Sequence, residues 1–245
     1  MTYCVGMNLE QGLLFASDSR TNAGVDHIAT FCKMHIFETA GERLIVLLNA
    51  GNLATTQSVV SLLRARCNGD GANLLTIRSL YEAAELVGAT LREVIARDAG
   101  EAGMGQGVDF GGSFLVGGQL RGEAPRLFNV YPQGNFIEAT PDTPYFQIGE
   151  AKYGKPIIDR VIHYSTPLAE AAKCTLISFD STIRSNLSVG LPIDLLQHRN
   201  NSFVPATPYR VTADDPYFNQ IRAAWGCGLR KVFAELPDAD WLSPD

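Results

Sequence analysis

The chain has 245 residues, of which 46% are hydrophobic and 19% charged, with a formal net charge of −6. That is enough apolar material for one large cored domain or two small ones. No Gly-, Pro- or Ser-rich linker, repeat or low-complexity tract divides it, so a single domain over 1–245 is expected. The acidic total argues against the basic face a nucleic-acid partner needs. No apolar run reaches the ~20 residues that span a bilayer, and no basic start leads into an apolar stretch, so a cytoplasmic protein with no membrane partner is expected.

Residues 2–9 read as a strand, 10–12 as a turn and 13–17 as the returning strand of a hairpin. A second hairpin follows at 34–38 and 43–49 around the turn 39–42. Its run Leu44-Ile45-Val46-Leu47-Leu48 is apolar on consecutive positions, as in a strand covered on both faces. Residues 52–66 form a helix stopped by Asn68-Gly69-Asp70-Gly71, and 76–99 keep apolar residues at helical spacing for about six turns. A glycine-rich stretch at 100–112 returns the chain to strands at 113–118, 126–131, 135–139 and 145–149. Helices at 152–164 and 167–186, a strand at 193–198 and a last helix at 217–235 complete the chain. Strand blocks alternating with helix pairs predict an α+β layered fold, two antiparallel sheets with helices outside, rather than a doubly wound parallel sheet.

The five cysteines (4, 32, 67, 174 and 227) are odd in number and scattered, and the four histidines are equally dispersed. Reduced thiols, no metal site and no cofactor are expected. Gly103, Gly105 and Gly107 alternate without the strand-turn-helix setting of a dinucleotide fingerprint and read as a flexible connection. Asp214-Asp215 before Pro216 reads as a helix start, and Trp225 and Trp241 as packing or interface aromatics.

Thr2 follows the initiator Met1 directly. Removal of Met1 would give a threonine whose α-amine lies beside its own hydroxyl, a nucleophile and a base in one residue. Many chains carry Thr second for no catalytic reason, so the position alone decides nothing. Antiparallel pairing in the first hairpin brings Asp18 close to Thr2, where its carboxylate could hold an ammonium; a solvated turn acid fits the sequence as well. Lys33 is the only lysine in the first 150 residues. Its field could lower the proton affinity of a nearby hydroxyl, with a solvated surface lysine as the alternative. Cys4, two residues on, is a rival nucleophile or a small core side chain.

These residues acquire a common meaning through a resemblance. Thr2 leading a strand, Ala16-Ser17-Asp18-Ser19-Arg20 with Ala23-Gly24, Lys33, and Asn49-Ala50-Gly51-Asn52 opening a helix resemble the proteasome β-subunit and HslV-like family of N-terminal nucleophile hydrolases. The likeness continues through Phe114-Leu115-Val116-Gly117-Gly118 and Gln147-Ile148-Gly149 to 180–190. It implies a four-layer αββα sandwich and a threonine-type hydrolase of peptide or amide bonds. It also implies a homo-oligomer, ring or spiral, acting on peptides or unfolded chains. Thr2 would be the nucleophile, Asp18 and Lys33 the charged pair and Gly51 the oxyanion donor. Ser185 and Ser188 fall where the family has an Asp-x-x-Ser that steadies the amine. Initiator Met is all that precedes Thr2, so no self-cleaved propeptide is expected.

Two positions depart from the family pattern. Ser185 stands for the family's Asp, leaving Asp180 as a possible substitute acid, and Gly149-Glu150-Ala151 stands for its Gly-Ser-Gly. A carboxylate at 150 would favour a charged amine and reduce its basicity, unless it pairs with Lys152 or an arginine. The departures keep open an assembly or binding protein with little peptidase activity, or a small-molecule amidase on the same fold.

Overall fold

The computed structural model describes residues 2–22, 28–102, 109–239 and 241. The first hairpin is β1 (Tyr3–Leu9) and β2 (Gly12–Asp18). Next come β3 (Arg20–Asn22) and β4 (Ile28–Thr30), then the second hairpin, β5 (Met34–Thr39) and β6 (Arg43–Gly51). Helices α1 (Leu53–Arg66) and α2 (Leu80–Ala102) lead to β7 (Gly112–Leu120), β8 (Arg126–Val130), β9 (Phe136–Glu138) and β10 (Tyr145–Gly149). The chain continues with α3 (Lys155–Val161), α4 (Leu168–Ser185), β11 (Ile193–Arg199), β12 (Tyr209–Val211) and α5 (Pro216–Glu235).

Two five-stranded sheets, ordered β10-β1-β2-β11-β12 and β5-β6-β7-β8-β9, carry the fold, and β3 and β4 pair separately. Every paired strand in these sheets is antiparallel. Side chains on a strand alternate faces, and the parity of β6 shows how the layers form. Ile45 and Leu47 pack with Val59 and Leu63 of α1 and Val87 and Leu91 of α2, whereas Leu44, Val46 and Leu48 meet Phe15 and Leu13 of the other sheet. In β1, Tyr3, Val5 and Met7 pack under α3, α4 and the start of α5, while Cys4 faces the partner sheet. The order is therefore helix, sheet, sheet, helix: the α+β sandwich expected, with β6 apolar on both faces because both are covered.

Element boundaries differ from the sequence reading where capping or tertiary pairing decides them. The second helix starts at Leu80 rather than 76. Ser79 Oγ accepts the Glu82 N–H at 3.2 Å and the Glu82 carboxylate reaches back to accept the Arg78 N–H at 2.8 Å, side-chain caps that fix the first turn. The helix read at 152–164 is shortened to Lys155–Val161. The short strands β3, β4 and β12 have three residues each, too few for a readable alternation. The alternating glycines at 103, 105 and 107 lie outside the described residues.

Candidate active site

The open end of the first hairpin places Asp18 beside the start of β1. Cys4 pairs with Ser17 in register, and one step further the Tyr3 N–H donates to Asp18 Oδ1 at 3.0 Å. The same oxygen accepts Lys33 Nζ at 2.8 Å, and Gly190 N–H reaches Oδ2 at 3.4 Å. Lys33 Nζ also donates to the Arg20 carbonyl at 2.5 Å. The pair is almost wholly shielded from water, with side-chain exposures of 2% for Lys33 and 0% for Asp18. Burial pushes the Asp18 carboxyl up from its ordinary range, and the Lys33 ammonium and the two backbone N–H groups pull the other way. Neither the solvated acid nor the surface lysine of the alternative readings is found.

Thr2 is 8% exposed, and its peptide unit is held on both sides. Its carbonyl accepts the Glu150 N–H at 2.7 Å, while the next amide, that of Tyr3, is bound by Asp18. Gly149 makes the first contact possible. It has φ +82°, and a Cβ there would come within 1.9 Å of the Thr2 carbonyl oxygen, so only glycine fits this turn out of β10.

Gly51 ends β6, with Asn52 as N-cap of α1: Asn52 Oδ1 accepts the Thr55 N–H at 3.2 Å. The Gly51 φ of +107°, with a hypothetical Cβ 2.5 Å from the Gly111 carbonyl, explains the glycine. Asn49 ties this corner to the rest of the site. Its N–H donates to the Lys33 carbonyl at 3.1 Å, its carbonyl accepts the Cys4 thiol at 3.6 Å, and its Oδ1 lies 3.0 Å from His35 Nε2. Cys4 is thus a buried strand side chain, and its thiol is pushed up by burial and then by Asp18.

The two serines fall on the segment leaving α4. Ser185 is its last residue and is exposed. Ser188 is half-buried, and its N–H donates to Asn186 Oδ1 at 2.9 Å. Asp180 is engaged elsewhere: it takes Arg184 at 3.0 Å and Arg222 at 2.7 Å and so fastens α5 to α4. Glu150, buried at 8% exposure, receives Asn186 Nδ2 at 3.0 Å rather than Lys152 or an arginine. The bonding roles of Asn186 and Asn49 escaped the sequence reading, which took Asn49 only as part of the segment opening a helix, since a lone amide carries no periodicity or spacing signal. No group of three or more His, Cys, Asp or Glu among the described residues could hold a metal ion. No helix there is long and apolar enough to cross a membrane.

No protein-family model matches the chain, and no curated protein does. Solved structures do. Anbu (ancestral beta-subunit) from Yersinia bercovieri is 60% identical, with TM-score 0.91, over 97% of this chain and 99% of that one. The helical assembly of the Anbu complex from Pseudomonas aeruginosa is 55% identical, with TM-score 0.94, over 98% and 100%. A Gly-1 mutant of Anbu from Hyphomicrobium sp. strain MC1 is 50% identical, with TM-score 0.91, over 98% and 100%. The layered sheets define a proteasome-like N-terminal nucleophile hydrolase fold. Within that class, the chain belongs to the Anbu family.

Proposed function

We propose that this single-domain chain, once Met1 is removed, is a threonine-type hydrolase of peptide or amide bonds. Thr2 Oγ attacks the carbonyl carbon while the Thr2 amine, directly or through a water, takes the hydroxyl proton. The oxyanion accepts the Gly51 N–H beside the α1 N-terminus, whose dipole adds to the stabilisation. The amine then protonates the departing nitrogen as the carbon–nitrogen bond breaks, and water releases the acyl group from Oγ. Lys33 favours the developing alkoxide by its field, and Asp18 balances it. Ser185 at the end of α4 and Ser188 in the loop after it steady the amine's surroundings.

The observation that carries this reading is the single Asp18 carboxylate binding both the Lys33 ammonium and the amide next to Thr2. It ties the charge pair to the would-be nucleophile inside a water-poor corner. The relative from Pseudomonas aeruginosa forms a helical assembly, and we extend self-association to this chain as a homo-oligomer, ring or spiral, acting on peptides or unfolded proteins in the cytoplasm. The test is hydrolysis of a panel of fluorogenic peptide and small-molecule amides by protein whose intact mass lacks Met1. Turnover that disappears in Thr2→Ala supports the proposal; turnover equal in both refutes it. The panel also separates a peptidase from a small-molecule amidase.

Glu150 favours a second reading, an assembly or binding protein. A carboxylate opposite Thr2 favours the ammonium over the free amine that catalysis requires. Binding of unfolded chains with no cleavage of any panel member by Met1-free protein would support it.

A further inference from the structure

Glu150 is a buried acid with no cationic partner among the described residues. Its backbone N–H binds the Thr2 carbonyl, which sets residue 150 directly across from residue 2, and its side chain is turned inward at 8% exposure. Among the described residues no lysine or arginine pairs with it. Its Oε2 accepts the neutral Asn186 amide, at 3.0 Å. A buried carboxylate left with neutral donors carries a desolvation cost that a counter-charge relieves.

Asn186 does more than satisfy one oxygen. Its Oδ1 takes the Ser188 N–H at 2.9 Å, and two residues later the Gly190 N–H reaches Asp18. Arg20 Nη1 holds the Leu187 carbonyl of the same loop at 3.1 Å. The bonds close a circuit: Thr2 to Glu150, Glu150 to Asn186, the 186–190 loop to Asp18, and Asp18 back to the Tyr3 amide. The corner enclosed by that circuit is where removal of Met1 would expose the Thr2 amine.

Among the described residues, the charged or titratable groups around it that the hydrogen bonds identify are already committed. Lys33 is bound by Asp18 and the Arg20 carbonyl, and the Arg20 guanidinium by Leu187. The Cys4 thiol donates to Asn49, and the Tyr3 hydroxyl lies 3.1 Å from Ser178 Oγ. Burial pushes both the Cys4 and the Tyr3 protons away from release.

We propose that Glu150, held by Asn186 as its positioning residue, is the counter-ion of the processed Thr2 amine and keeps it charged at neutral pH, so that activity is gated by alkalinity. The gate rests on the hydrolase reading above. It reconciles an intact nucleophile corner with the adverse carboxylate, because a charged amine delays the base without removing it.

The test titrates the Thr2 α-amine of the processed full chain by competitive acetylation with acetic anhydride between pH 6 and 10, read by mass on the N-terminal peptide. The wild type should titrate above the ordinary α-amino range of ~7.7–8.0. E150Q, isosteric and still able to accept the Asn186 bond, should lower the midpoint by on the order of one unit and raise β-lactone labelling at pH 7 roughly tenfold. N186A should shift the midpoint the same way by less; a purely structural Asn186 would alter stability and leave the midpoint in place, which overturns its role. A midpoint unchanged in E150Q, with Thr2 still labelled by the lactone, overturns the gate and leaves the hydrolase reading standing. A midpoint that falls in E150Q, with no lactone labelling at any pH, upholds the ion pair and sinks the hydrolase.

Discussion

Among the described residues, Asp18 and Lys33 are each other's only charged partners, in a corner with almost no water. Removing one leaves the other charged and buried, so Asp18→Ala should cost about 3–5 kcal/mol of folding free energy, read as a lowered urea midpoint. Asp18→Asn keeps the shape and loses the charge. If the field of the pair supports the nucleophile, it should reduce the lactone-labelling rate on the order of 100-fold while the fold persists; an undiminished rate would remove Asp18 from the mechanism. The two members were not equally legible in sequence. Antiparallel pairing alone brings residue 18 to the start of β1, whereas Lys33 arrives on the segment leading into β5 of the other sheet, and before the resemblance only its isolation among the first 150 residues pointed to it. Asn186 was invisible because its role depends on three segments meeting: the ends of β10 and α4, and the loop to β11.

The elements that place these residues have their own constraints. The turn after β10 needs Gly149 at φ +82° against the Thr2 carbonyl. Gly149→Ala should destabilise by roughly 2 kcal/mol or more and slow Thr2 labelling in parallel, as measured by thermal melts and adduct kinetics. On β11, His198 is 4% exposed and hydrogen-bonded to Gln119 at 2.9 Å, and burial holds its pKa below the ordinary value. The unfolded chain therefore takes up a proton near pH 6.5 that the folded one refuses, so stability is present above that pH and declines as pH falls through it. Burial lowers His35 as well, adding to the same slope. His198→Gln should flatten the decline of Tm between pH 7 and 5.5; an unchanged slope would contradict a neutral buried His198. The long strands and helices were legible because burial on one or both faces imprints a period. The strands β3, β4 and β12 and the Leu80 start were not, since pairing across the chain and a side-chain cap decide them.

At the scale of the whole molecule, the layer order followed from the alternation of strand blocks and helix pairs, and β6 shows why: each parity of one apolar strand feeds a different core. The last helix is the exception to that enclosure. Leu229, Val232 and Phe233 remain 52%, 58% and 77% exposed on α5, a larger apolar display than scattered surface residues give. The proposed self-association would cover it, and sedimentation at micromolar concentration should find species larger than the 26.6 kDa monomer; monomer alone would refute the homo-oligomer. What the assembly would house depends on one atom. The most direct measurement is peptide mapping of Met1-free protein after reaction with a β-lactone. The account predicts an ester adduct on Thr2 Oγ, accumulating faster as pH rises and absent in Thr2→Ala. An adduct on Cys32 or another side chain, or none at Thr2 up to pH 10, would contradict it.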